Sequence, residues 1–340
     1  MIRPGPRNLI TDVPGLRIGC AEDTRAWTGV TVVLPDAPAV AAADVRGGGP
    51  GTRETDALRP ESLVERVDAV VLSGGSAFGL DAAQGVVQWL AARGRGFRVG
   101  GATVPIVPAA ILFDLANGGD KGWGAEPPYR RLGAAACDAA GLEFALGNSG
   151  AGYGAKAHEL KGGLGSASAV MPTGSFLDGI VVGALVAANP VGSVVVPGTG
   201  TFWAWLLEQD HELGGQIPPA GPVALDPPAP PASAASPGAN TTLGVVATDA
   251  DLTRAEALRI AIMAQDGYAR AIRPVHTPFD GDSVFVLSTG RRPLPEDRAA
   301  AVAALGSVAA DCVARAVARG VYEAETLGRF PAYRARFARS

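Results

Sequence analysis

Apolar positions along this chain fall mostly into short runs punctuated by glycine and proline, and only three stretches carry helical spacing. Ile10–Ile18, Gly29–Leu34 and Val40–Val45 are rich in β-branched residues and read as strands. Arg46-Gly-Gly-Gly-Pro-Gly51 reads as a tight loop. Val67–Leu72 is a buried-strand run that Gly74-Gly75 turns into a helix over Leu80–Arg93, where Leu80, Val86, Val87, Trp89 and Leu90 recur at mixed three- and four-residue spacings. Gly147–Gly165 is glycine-rich, and Ser168–Ala187 reads as a strand hairpin broken near Gly174. Thr241–Thr248 is a strong strand, followed by a helix opened by the capping box Thr253-x-x-Glu256. Pro278-Phe-Asp280-Gly-Asp282 is a turn into a strand over Ser283–Leu287. An Ala/Val-rich helix from about Glu296 to Arg319 closes the pattern, and no fixed-period repeat appears.

One segment departs from this alternation. Gln216–Asn240 holds eight prolines and a single charge, Asp226. A stretch lacking so many N–H donors and apolar side chains joins no sheet ladder, so it reads as an exposed, mobile linker. It marks either a domain boundary or a place where the chain is cut.

Composition narrows the classes. Of 340 residues, 47% are apolar, enough for a substantial core, while charged residues are only 18% against a usual ~25%. A net charge of −4 without basic blocks argues against nucleic acid as a partner. The longest apolar run, Ile180–Ala188, is too short to span a bilayer, and the polar first dozen residues lack a signal-peptide core. No membrane association is expected, and the cytoplasm is the expected compartment. Cys20, Cys137 and Cys312 are too scattered for a disulfide framework or a metal site. Lysine is rare: Lys121, Lys156 and Lys161 stand against 26 arginines, and two of the three lie within six residues.

Familiar catalytic patterns fail here. Ser76 lies at a strand-to-helix turn, but Phe78 occupies the position where GxSxG requires its second glycine. His158, His211 and His276 have no evident orienting context in the sequence. The loops Gly47–Gly51 and Gly147–Gly154 match neither GxxxxGK[ST] nor GxGxxG, and no metal-ligand spacing occurs. No cofactor or metal is expected.

A different chemistry suits the linker and the strand after it. A threonine hydroxyl needs a base, and a free α-amine with a pKa of about 7.7–8.0 supplies one on the same residue. Making that amine within a chain requires cutting the bond before the threonine. The order of linker, Asn240, Thr241 and strand offers such a place.

Five segments carry a resemblance: Ile10-Thr-Asp-Val-Pro-Gly15, Asp44-Val-Arg-Gly-Gly-Gly-Pro-Gly-Thr-Arg-Glu-Thr-Asp56, Leu72-Ser-Gly-Gly-Ser-Ala-Phe-Gly-Leu80, Lys161-Gly-Gly-Leu-Gly165 and Asn240-Thr-Thr-Leu-Gly-Val-Val-Ala-Thr-Asp249. Through nearly its whole length the chain resembles the P1 family of N-terminal-nucleophile hydrolases (peptidase family S58). That family includes L-aminopeptidase/D-esterases, β-peptidyl aminopeptidases and nylon-oligomer endo-hydrolases. The resemblance implies an α+β fold, a four-layer αββα sandwich, with autocleavage before the nucleophile. It implies a large segment 1–240 that includes the linker 216–240, a small segment 241–340, and one folded domain built from both. Homo-oligomers of cleaved protomers, often tetramers, are expected.

Position by position, Thr241 matches the nucleophile and Asn240 the residue before the cut. Asn189 matches an amide near the nucleophile whose N–H groups can hold an oxyanion, and its other reading is a turn residue before Pro190. Lys161 matches a lysine whose charge, beside Thr241, favours the neutral amine, and its other reading is a surface lysine. Asp280 and Asp282 match the Asp pair of the nylon-oligomer branch, where the aminopeptidase branch carries Ser and Glu. Two apart on extended backbone, both side chains point one way and can orient the amine and hydroxyl of Thr241. An ordinary Asp-Gly-Asp turn is the alternative. Phe113 stands where the family often has tyrosine and receives no role. The implied substrate is a small amide or peptide oligomer, with 6-aminohexanoate oligomers first. Aminopeptidase action on short α- or β-peptides, acyl transfer of the ornithine acetyltransferase type and an uncleaved binding protein are the alternatives.

Overall fold

The computed structural model describes residues 2–223 and 240–337. Its long strands are β1 (Leu16–Asp23), β2 (Thr28–Pro35), β3 (Ala39–Val45), β4 (Val70–Ser73), β5 (Ala109–Ile111), β6 (Gly163–Val170), β7 (Val181–Asn189), β8 (Thr241–Ala250) and β9 (Ser283–Arg292). The longer helices are α1 (Asp81–Ala91), α2 (Tyr129–Asp138), α3 (Arg254–Ala271) and α4 (Arg298–Tyr322).

Two sheets form the centre. One runs β1-β2-β4-β5 with the short strand Thr52–Arg53 at its edge. The other runs β6-β7-β8-β9-β3 with Arg66–Val67 at its edge. Their facing sides share one core, in which Ile18, Val33 and Leu72 meet Leu185, Leu243, Val245 and Phe285. The period of two along each strand sends alternate residues the other way. Val30 and Val32 pack on Val86, Leu90 and Leu132 of α1 and α2. Val246 and Val284 belong to the core with Ile260 of α3 and Val313 of α4. The result is helices, sheet, sheet, helices, the expected αββα order of an α+β fold. Helix α4 is long and apolar enough to cross a membrane, but most of it is buried in this core.

Most strand pairs are antiparallel, but β8 and β9 run parallel with Leu243 opposite Ser283. A parallel pair needs a crossover, which α3 supplies. Thr253 starts that helix as expected: its hydroxyl accepts from the Glu256 N–H, and Glu256 accepts from the Thr253 N–H. Thr241 and Ser283 therefore begin their strands at the same end of the sheet.

The sequence patterns misplace some boundaries. Ile10–Asp12 is a 3-10 turn, and the strand begins only at Leu16, because Pro14 has no N–H for a ladder. The hairpin expected at Ser168–Ala187 is made by Gly163–Val170 and Val181–Asn189. Both ends of the expected linker belong to the fold. Gln216 donates to the Leu213 carbonyl and accepts from the Phe202 N–H. Asn240 is buried and bridges to Asp280. The remainder of that expected linker, residues 224–239, lies outside the described residues.

Candidate active site

Thr241 opens β8 in the interior of its sheet. It lies opposite Asn189 on β7, and the preceding Asn240 forms a parallel bridge with Asp280 just ahead of β9. All four residues are buried. The Thr241 hydroxyl donates to the Asn240 carbonyl at 2.5 Å, and the Gly281 N–H donates to the same carbonyl at 3.0 Å. The bond before Thr241 is thus held between its own hydroxyl and a backbone amide from the neighbouring strand.

The acids flanking Gly281 face elsewhere. Asp280 accepts from the Val191 N–H at 3.1 Å and from both the N–H and hydroxyl of Thr277. Burial pushes its carboxyl pKa up, and the nearby Asp282 adds to the rise. Asp282 accepts from the Thr242 N–H at 2.8 Å, and its other oxygen meets the N–H and Nδ1 of His276 at 3.1 and 2.9 Å. The expected pair is therefore beside Thr241, but its hydrogen bonds go to Val191, Thr277, Thr242 and His276 rather than to the Thr241 hydroxyl. His276 is a partner the sequence did not reveal. Its side-chain setting depends on a carboxylate six residues on, across the turn.

The glycine loop Arg46–Gly51 has a clear structural use. Arg46 and Gly47 donate to the Asp282 carbonyl, Gly49 to the Asp280 carbonyl, and Gly48 to the Thr277 carbonyl. A Cβ on Gly47 would meet the Asp282 nitrogen at 2.3 Å and the Asp280 oxygen at 2.4 Å. Only a glycine backbone comes this close, so the loop clamps the Asp280–Asp282 segment from behind.

Asn189 lies against Thr241 in the ladder, with its side-chain amide donating to the Phe113 carbonyl at 3.2 Å and its oxygen accepting from the Lys156 N–H at 3.0 Å. The position the family often fills with tyrosine thus contributes a carbonyl. Lys161 is not a surface residue. It is fully buried, and its ammonium donates to the carbonyls of Gly152 and Gly162 at 3.0 and 2.7 Å. Burial pulls its pKa down to about 7, against the opposing charge of Asp114. Asp114 is itself pushed up to about 6 by burial, while the Thr28 hydroxyl and Lys121 oppose the rise. The 390 Å³ cleft lined by Gly214, Tyr322 and Tyr333 and the 250 Å³ cleft lined by His158, Ser193 and Arg336 do not include Thr241.

Two stacked mixed sheets between helix layers give the class: an N-terminal-nucleophile hydrolase fold. Solved structures of that fold superpose on nearly the whole chain. The L-aminopeptidase D-Ala-esterase/amidase of Ochrobactrum anthropi gives a TM-score of 0.71 at 22% identity, covering 96% of this chain and 89% of that one. A Burkholderia sp. β-aminopeptidase gives 0.70 at 22% identity, covering 100% and 97%. The model of peptidase family S58 matches residues 8–333, and the chain belongs to that family. An uncharacterized aminopeptidase of Mycobacterium tuberculosis is 45% identical over 348 residues, covering 97% of this chain and 98% of its own. A 6-aminohexanoate-oligomer endohydrolase of Agromyces sp. is 29% identical over 303 residues, covering 86% and 78%.

Proposed function

We propose that this S58 peptidase cuts itself between Asn240 and Thr241 and then hydrolyses linear amides through an acyl group carried on Thr241 Oγ. The observation that carries this reading is the 2.5 Å contact between the Thr241 hydroxyl and the carbonyl of the bond to be cut. Once freed, the α-amine of Thr241 serves as base for its own hydroxyl and then as acid for the leaving amine, and water releases the acyl group. Asp280 and Asp282 position this terminus, Asn189 borders it from β7, and Lys161 supplies a positive charge that titrates near neutrality. The cleaved protomers, 1–240 and 241–340, associate as a homo-oligomer.

The acids support one substrate class. An aminopeptidase needs an anion for the substrate's ammonium, yet Asp280 and Asp282 already accept from Val191, Thr277, Thr242 and His276. Internal amides of weakly charged oligomers such as 6-aminohexanoate chains suit this arrangement. The name of the 45% identical relative favours a second reading, aminopeptidase action. Purified protein should run as two bands near 24 and 10 kDa, about 240 and 100 residues' share of 34.3 kDa, with the small one beginning Thr-Thr-Leu-Gly. A single uncut band that is fully active overturns the mechanism. A matched pair of oligomers, one N-acetylated and one free, separates the substrates. Cleavage of both supports internal hydrolysis, and loss of single residues from the free oligomer alone makes the enzyme an aminopeptidase.

A further inference from the structure

We infer that the backbone N–H of Gly281 is the oxyanion donor for self-cleavage, holding the Asn240 carbonyl while Thr241 attacks it. This rests on the reading that the chain cuts itself at that bond. The parallel bridge between Asn240 and Asp280 aims the Gly281 N–H at the Asn240 oxygen, 3.0 Å away. In the same peptide unit, the Asp280 carbonyl accepts from the Gly49 N–H at 2.8 Å. Turning the Asp280–Gly281 peptide plane would break both bonds, so the donor is fixed before the reaction starts. On the far side, the Gly281 carbonyl accepts from the Ser283 hydroxyl at 3.0 Å. Accepting at one end of a peptide unit strengthens donation at the other, and burial keeps water from competing.

Residue choice points the same way. A Cβ at position 281 would meet Thr241 Oγ at 2.5 Å and the Gly49 oxygen at 2.9 Å. Glycine is required here because the nucleophile lies directly against it. The Asn189 side chain, the other candidate donor, already spends an N–H on the Phe113 carbonyl.

Thr241 Oγ adds to the Asn240 carbonyl carbon, its hydroxyl proton passes to the Thr241 nitrogen, and the carbonyl oxygen takes the negative charge against the Gly281 N–H. The bond from that carbon to the protonated Thr241 nitrogen then breaks as the oxyanion re-forms the carbonyl. An ester on Thr241 Oγ and a free α-amine result. Water hydrolyses the ester to the Asn240 carboxylate and restores the Thr241 hydroxyl.

The test replaces Gly281 by glycolic acid in the full chain through cell-free translation, which exchanges only the N–H for an oxygen. Losing one oxyanion donor should slow the appearance of the two fragments by roughly 10²–10³-fold. Glycolic acid at position 49 removes the supporting bond to the Asp280 carbonyl and should slow cutting by less than about tenfold, since it touches no reacting atom. Unchanged cutting with the residue 281 variant overturns the assignment, as does equal slowing by both variants. In uncut Thr241→Ala protein with a carbon-13 Asn240 carbonyl, glycolic acid at 281 should raise that carbonyl's infrared frequency. An unmoved band also overturns it. If unaltered protein is never cut before Thr241, the underlying reading fails instead.

Discussion

Two buried polar clusters in this molecule are built to opposite ends. At one, Arg315 is 1% exposed, and each of its three guanidinium nitrogens has a partner among Glu212, Asn8 and the Ser168 carbonyl. Glu212 also accepts from Asn8, and Arg319 lies within 3.5 Å of it. This cluster ties the N-terminal turn to α4 and to the stretch before residue 216. At the other, around Thr241, the acids bind neighbouring N–H groups, the Thr277 hydroxyl and His276, while the buried Asn240 side-chain oxygen and Thr242 hydroxyl have no hydrogen-bond partner among the described residues. The Arg315–Glu212 pair holds elements together, although the nearby Arg319 Nε has no hydrogen-bond partner among the described residues. The difference lies in what the unpaired atoms border: around Thr241 they flank the proposed nucleophile. Burial alone does not separate the two clusters.

That contrast can be broken in order of effect. Thr241→Ala should leave the chain as one band and lower amide turnover by on the order of 10⁴-fold or more, as loss of a nucleophile does. Gel analysis and product assays would read both. Asp280→Asn and Asp282→Asn put an amide donor against backbone N–H groups, so each should slow processing or turnover by roughly 10²-fold with little change in the fold. Full activity in both would make the segment an ordinary turn.

At the other cluster the expected effect is reversed. Glu212→Gln leaves Arg315 buried without its counter-charge and should cost about 3–5 kcal/mol in denaturant unfolding. The rate per folded molecule should stay within about twofold, because the residue touches no reacting group. A large loss of rate without loss of stability would erase the distinction drawn above.

A further effect concerns pH. Lys161 has its pKa lowered to about 7 in the folded chain from an ordinary 10.5. Between these values the unfolded chain binds the extra proton, so stability rises with pH across that window. Lys161→Met should flatten this rise in denaturation measured at several pH values from neutrality to about 10. An unchanged slope would show that Lys161 keeps its proton when buried.

How much was legible beforehand divides along sequence distance. The Thr253-x-x-Glu256 box and the β-branched strand run Thr241–Thr248 are local signals, and the structure keeps both. Helix α2 carries a weaker signal: its Tyr129–Asp138 stretch is short, with two arginines among its apolar positions. What escaped depends on residues far apart in the chain. The Arg46–Gly51 loop reads only as a turn until Gly49 meets Asp280, more than two hundred residues away. His276 reads as an unsupported histidine until the turn brings Asp282 to it. Thr241 was singled out because it follows the linker and Asn240 directly in sequence and matches the family position, both of which can be read along the chain. Gly281 was not, because its value lies in which carbonyl stands across the ladder.

The strand order of the larger sheet has a lasting consequence. β8 and β9 lie between β7 on one side and β3 on the other, so the 241–337 stretch is threaded through the middle of a sheet made by earlier residues. Cutting before Thr241 would free no edge, and the two pieces would stay interlocked through both ladders. Unfolding would undo that permanently in one respect: a single chain finds its partners at a rate independent of concentration, but two separated chains must meet by diffusion. Recovery after denaturation should then become second order in protein, giving the mature molecule a memory of its intact precursor that no annealing restores.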